Sequence, residues 1–114
     1  MRYAASTSVP VEKSRAEIES LVIRRGAKSF QSGLADGQAA VGFVLHERIL
    51  RFRLPLPERG AKEFLYTPGR RKKRDDSASQ VAWEQACRAR WRALLLAIKA
   101  KLEAVDAGIS VFDD

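Results

Sequence analysis

The sequence predicts an α+β fold in the order α-β-β-β-α. A short N-terminal helix and a long C-terminal helix pack on one face of a three- or four-stranded antiparallel sheet. Three observations carry this expectation. Two stretches, Gln38–His46 and Ile49–Leu56, alternate apolar and polar residues with period two on either side of a tight turn. Asp36-Gly37, a favoured two-residue hairpin turn, stands just ahead of the first. From residue 78 onward, apolar residues recur at steps of three or four up to Gly108.

Tyr3 to Val9, rich in Ser and Thr, is a candidate edge strand that Pro10 ends. Ser14-Arg15-Ala16-Glu17 has the form of a capping box, in which Ser14 accepts from the amide of Glu17 and Glu17 reaches back. Ile18, Leu21 and Val22 follow at helical spacing, and Gly26 suits a left-handed C-terminal cap, so a helix is expected over 15–25. A weak strand over Lys28–Leu34 joins the strong strand Gln38–His46 through Asp36-Gly37. A second turn at Glu47-Arg48 then leads into Ile49–Leu56. Pairing His46 with Ile49 sets Leu45 against Leu50, Phe43 against Phe52 and Val41 against Leu54, all on one face. The other face then has Val44 opposite Arg51 and Gly42 opposite Arg53. A one-residue slip would bury the arginines, which specifies the face.

Pro55 and Pro57 stop the third strand, and residues 57–76 read as a flexible basic loop with Phe64-Leu65-Tyr66 as an anchor or short strand. Asp75 and Asp76 precede Ser77, with Gln80 three residues on, a second capping box with acids well placed for the helix dipole. The last helix is expected over 78–107. Its stripe is Trp83, Cys87, Trp91, Leu94, Ile98, Leu102 and Val105, with Leu95 beside it. Such a helix is about 45 Å long. It outruns a three-stranded sheet, which suggests self-association as a homodimer through its far end. Phe43, Phe52, Leu54, Trp91, Leu94 and Ile98 are the expected core.

At 114 residues the chain fits one domain, 1–114, and 46% hydrophobic residues suffice for a packed core. No run of eighteen apolar residues occurs, so no membrane span is expected. The first eight residues lack a long apolar segment of the signal-peptide kind. With one cysteine, Cys87, and one histidine, His46, neither an internal disulfide nor a zinc site of the usual ligands is expected, and no cofactor is implied. A reducing cytoplasm is the expected location.

Charge supplies the sharpest functional signal. Arg70-Arg71-Lys72-Lys73-Arg74 carries +5 of a formal +7. A positive field concentrated at one point suits a polyanion, and phosphate contact by Lys and Arg drives salt-dependent, largely sequence-independent binding. The plain alternative is a solvated loop that binds nothing. Arg51 and Arg53 are expected on the sheet face opposite the core, either as ordinary solvent-facing cations or as a surface on which nucleic acid lies. Arg88 and Arg92, four apart, are expected on the polar face of the long helix, where they extend the positive surface or serve only solubility. Trp83 and Trp91 read as core residues rather than stacking groups. His46 has no evident partner for base catalysis, and Cys87 reads as an inert buried thiol. No phosphate-binding glycine motif, paired carboxylates or nucleophile elbow is found, so no catalytic residue is assigned.

Several stretches carry a resemblance: Ser6-Thr7-Ser8-Val9-Pro10-Val11, Ser14 to Glu19, Arg53-Leu54-Pro55-Leu56-Pro57, Trp83 to Arg88 running on to Trp91-Arg92-Ala93-Leu94, and Ile98 to Glu103. Together they are similar to a group of small, functionally unassigned proteins encoded by bacteriophages and prophages. The resemblance covers most of the chain and implies a phage gene product acting in bacterial cytoplasm. It carries no catalytic residues. The order helix, three strands, helix is also that of a double-stranded RNA-binding domain, an analogy of topology alone.

The expected function is that of a non-enzymatic nucleic-acid-binding accessory protein of a phage, serving recombination, replication or regulation. Its partner is a DNA or RNA backbone held by Arg70, Arg71, Lys72, Lys73 and Arg74, with Arg51, Arg53, Arg88 and Arg92 assisting. The alternative is a phage-encoded inhibitor of a host defence complex, comparable to an anti-CRISPR protein, which uses the same cations on an acidic protein surface.

Overall fold

The computed structural model describes residues 7–70 and 72–108, with the main chain alone at Arg70. The α-β-β-β-α order is observed. Helix α1 spans Val11–Arg24, strand β1 Lys28–Ala35, β2 Gln38–Leu45 and β3 Arg48–Pro55. A one-turn helix α2, Lys62–Leu65, and a 3-10 turn, Pro68–Arg70, precede helix α3, Asp76–Asp106. The three strands form one antiparallel sheet with β2 in the middle. The candidate strand over Tyr3–Val9 lies outside the described residues up to position 6, and residues 7–9 carry no strand.

Helix α1 starts earlier than expected. Pro10 is its N-cap and makes no side-chain cap bond. Its fixed φ leads the chain into the helix, and its carbonyl accepts from the amides of Lys13 and Ser14. Ser14 is therefore one turn inside, fully buried, and its Oγ has no hydrogen-bond partner among the described residues. The expected capping box at Ser14 does not form. The far end is as expected: Gly26 at φ 96° lets its amide reach Ile23 O while the Ala27 amide reaches Val22 O. That pair of bonds is the Schellman closure.

The hairpin at Asp36-Gly37 pairs Ala35 with Gln38, and both turn residues have positive φ, as a type I′ turn needs. The second turn is His46-Glu47, not Glu47-Arg48; these two residues take φ 52° and 64°. Leu45 thus pairs with Arg48, Phe43 with Leu50, Val41 with Phe52 and Ala39 with Leu54. The register differs from the expected one by two residues. An even shift leaves every side chain on its expected face, so the core survives the error. On the outer face Gly42 lies opposite Arg51 and Ala40 opposite Arg53.

Ala39, Val41, Phe43 and Leu45 of β2, all buried, meet Ile18, Leu21 and Val22 of α1 and Trp91, Leu94, Leu95, Ile98 and Leu102 of α3 in one cluster. Leu54 belongs to it, whereas Phe52, expected fully inside, packs against it half-buried. Phe52 stands on an edge strand, so only one neighbouring strand covers it.

The last helix runs 76–106 rather than 78–107, and its N-cap is Asp75, whose Oδ1 accepts from the Ala78 amide at 2.7 Å. Ser77 is not the cap. At about 1.5 Å per residue, 31 residues span roughly 46 Å, close to the molecule's longest extent of 51 Å. Its C-terminal half does not outrun its partners. Helix α1 lies along it, Ile98 and Leu102 are buried, and Arg25 pairs with Asp106 at the end. The uncovered stripe that suggested a homodimer is absent from that end among the described residues. No described helix is long and apolar enough to cross a membrane.

Candidate nucleic-acid interface

The segment 57–76, expected as a flexible loop, folds back on α3 through identifiable bonds. Trp83 Nε1 donates to Pro57 O at 2.8 Å and holds the start of the segment. Arg59 spreads its guanidinium over the first turns of α3: Nε to Gln80 Oε1 and Nη1 to Ser79 Oγ, both 2.7 Å, and Nη2 to Asp76 O at 3.3 Å. Gln80 is thereby engaged by Arg59 instead of serving a capping box. Phe64, buried at 5% exposure, anchors α2 beneath the segment. The expected anchor is real, but it sits in a helical turn and not in a strand.

The cationic run closes a small loop. Tyr66 and Lys73 form an antiparallel bridge, the Thr67 amide donates to Lys72 O at 2.8 Å, and the Lys72 amide donates to Thr67 Oγ1 at 3.1 Å. Gly69 supplies the reversal at φ 79°. Lys72 and Lys73 are exposed. Arg74 is committed elsewhere: its amide donates to Leu65 O and its Nη1 donates to Glu63 O at 2.9 Å. The Arg70 side chain and Arg71 lie outside the described residues. Among the described residues the loop exposes Lys72 and Lys73, and Arg74 bonds its base to α2.

The remaining expected cations occupy two other places. Arg51 and Arg53 are exposed on the outer sheet face, as expected. Arg88 and Arg92 are not on a solvated face. Arg92 Nη1 bonds Glu17 Oε2 of α1 at 2.7 Å. Arg88 Nη2 bonds Gln85 Oε1, and its buried Nε has no partner among the described residues. Arg92 thus faces the seam between α1 and α3, whereas the Arg88 bond stays within α3. Both arginines, expected as assisting contacts, are half-buried with partners inside the protein.

Beside this seam lies a cleft of about 1000 Å³ whose walls include Val11, Leu34, Leu56, Trp83, Cys87 and Trp91. Burial pushes the Cys87 thiol pKa up; the Glu84 carboxylate adds to the rise, and Arg88 and Arg90 oppose it. No group of three or more potential metal ligands occurs among the described residues. His46 stands exposed in the second hairpin turn. The residue that sequence reasoning missed is Arg59. Nothing in Pro57-Glu58-Arg59-Gly60 marks it, since its partners come from the next helix.

Comparison of the chain with protein-family models, with curated proteins and with solved structures gives no match.

Proposed function

We propose that this protein is a non-enzymatic nucleic-acid-binding accessory protein of a phage, and that the loop at 66–74 is its phosphate-contacting element. The supporting observation is the exposure of Lys72 and Lys73 on a loop whose base is closed by the Tyr66–Lys73 bridge. Charge held on a closed loop binds phosphate at a smaller ordering cost than charge on a free tail. Arg70, Arg71, Lys72 and Lys73 contact phosphates, and Arg74 positions the loop through Glu63 O. Arg51 and Arg53 add positive charge from the sheet; Arg92 joins α1 to α3 through Glu17.

Fluorescence anisotropy with a labelled duplex at several salt concentrations tests this reading. Four phosphate contacts give a log–log salt slope of about −3.6 on duplex DNA. Replacing Lys72 and Lys73 by Ser, with Arg74 retained, should make the slope shallower by about 2 units. Absence of binding at low salt, or a slope unchanged in that variant, overturns the proposal.

A further inference from the structure

We infer that the outer face of the sheet reads base edges in the major groove of duplex DNA, so that the protein is sequence-selective and not merely a phosphate binder. This inference rests on the proposed function and names its substrate. The face has a defined layout. Cross-strand rows run Gln31–Gly42–Arg51 and Gly33–Ala40–Arg53, with Lys28–Val44–Ile49 below. Gln31, Gly33, Ala40, Arg51 and Arg53 are all exposed, and neither helix packs on this side. Lys28, Arg51 and Arg53 are its charged residues, and no carboxylate stands on it. The face is thus complementary to a polyanion by charge.

Its shape narrows the partner further. The centre is low, because Gly42 and Ala40 occupy the middle strand. A Cβ on Gly42 would already touch the Arg51 side chain, at 3.8 Å from Cγ. The polar groups stand on the two outer strands. With strands about 4.8 Å apart, Gln31 and Arg51 are separated by roughly 10 Å, which fits within a major groove about 12 Å wide. The chemistry is that of base-edge reading: Arg bonds guanine O6 and N7 in bidentate fashion, and Gln bonds adenine N6 and N7. Ile49, 69% exposed in the same plane, suits a thymine methyl.

Other nucleic acids fit less well. Single strands are bound by stacking on aromatic side chains. The strand aromatics Phe30, Phe43 and Phe52 all point to the core, leaving the outer face without one. Double-stranded RNA hides its base edges in a deep, narrow major groove that side chains do not reach. The basic loop then supplies affinity and the sheet supplies selectivity.

Selection from a pool of random duplex DNA, followed by titration of the recovered and scrambled sequences, tests the inference. A consensus should emerge, bound at least about tenfold better than its scramble. Arg51→Lys and Arg53→Lys keep the charge but lose the planar fork, so they should abolish the preference and bring the selected sequence to the affinity of its scramble. Both side chains are exposed, so folding is not at stake. The Lys72→Ser, Lys73→Ser variant should behave in the opposite way, weakening both sequences equally. Uniform binding of all duplexes by the native protein overturns the sheet reading and leaves the loop proposal standing. So does tighter binding to single strands or to RNA. No binding to any nucleic acid overturns both.

Discussion

Phe43 and Phe52 stack with ring centroids 6.0 Å apart and planes 16° from parallel, although neither is the other's strand partner. Phe43 pairs with Leu50 and Phe52 with Val41, so the rings meet on the diagonal. Diagonal neighbours on one sheet face lie within reach of aromatic side chains. Phe43 is in the central strand at 2% exposure, and Phe52 is half-buried at the edge. Phe43→Ala should therefore cost about 3–5 kcal/mol, and Phe52→Ala roughly 2 kcal/mol in proportion to its smaller burial. Urea denaturation of both variants measures the difference. Equal losses would contradict the central placement of Phe43.

Ser14 and Asp75 have exchanged the importance that their motifs suggest. Ser14 is buried with an unpartnered hydroxyl, while the Asp75 carboxylate caps α3. Ser14→Ala should be neutral or stabilising, because it removes an unsatisfied polar group. Asp75→Ala should cost about 1 kcal/mol, and Ser77→Ala almost nothing. A destabilised Ser14→Ala protein would restore the capping box.

Arg59 joins the loop to α3 through three acceptors on successive turns. Arg59→Ala leaves the Ser79 hydroxyl, 2% exposed, without its donor, at a cost of about 1–3 kcal/mol. Hydrogen exchange should quicken at the amides of residues 64–74 more than in the sheet. Arg59→Lys should not restore protection, because an ammonium lacks the planar fork. Unchanged exchange in Arg59→Ala would show that the Tyr66–Lys73 bridge suffices alone.

Cys87 should react slowly with a thiol reagent at pH 8 and at full rate once the chain is unfolded. Its raised pKa, due first to burial, keeps the thiol protonated where a free thiol begins to ionise. The sign follows: the folded state holds this proton to higher pH than the unfolded state. The associated stability is present at neutral pH and is lost as pH rises through the folded pKa. Rapid labelling of the native protein at pH 8 would show that the cleft opens to Cys87.

Much of the fold was legible because local rules act alone in it. Asp36-Gly37 admits positive φ at both turn positions, and the period of two in β2 specifies a face. The second turn was misplaced because Glu47 is not a residue that usually adopts positive φ, and the period of two carried His46 into the strand. The shift passed unnoticed by the core because two residues make one full period. The cations of 70–74 were evident as a run, but which of them are spent on structure was not. Arg74 turns inward only because the chain folds back to Glu63 O.

Sequence by itself determined the element order, the buried faces and the concentration of charge, because periodicity and turn chemistry depend on neighbours along the chain. Tertiary structure alone decided the fate of individual polar residues. Arg59 became a strut, Arg92 an interhelix ion pair with Glu17, Ser14 a buried hydroxyl, and Arg51 and Arg53 part of an open face. A long polar side chain takes whichever partner packing brings within about 3 Å, and packing here joins residues as far apart as Arg25 and Asp106.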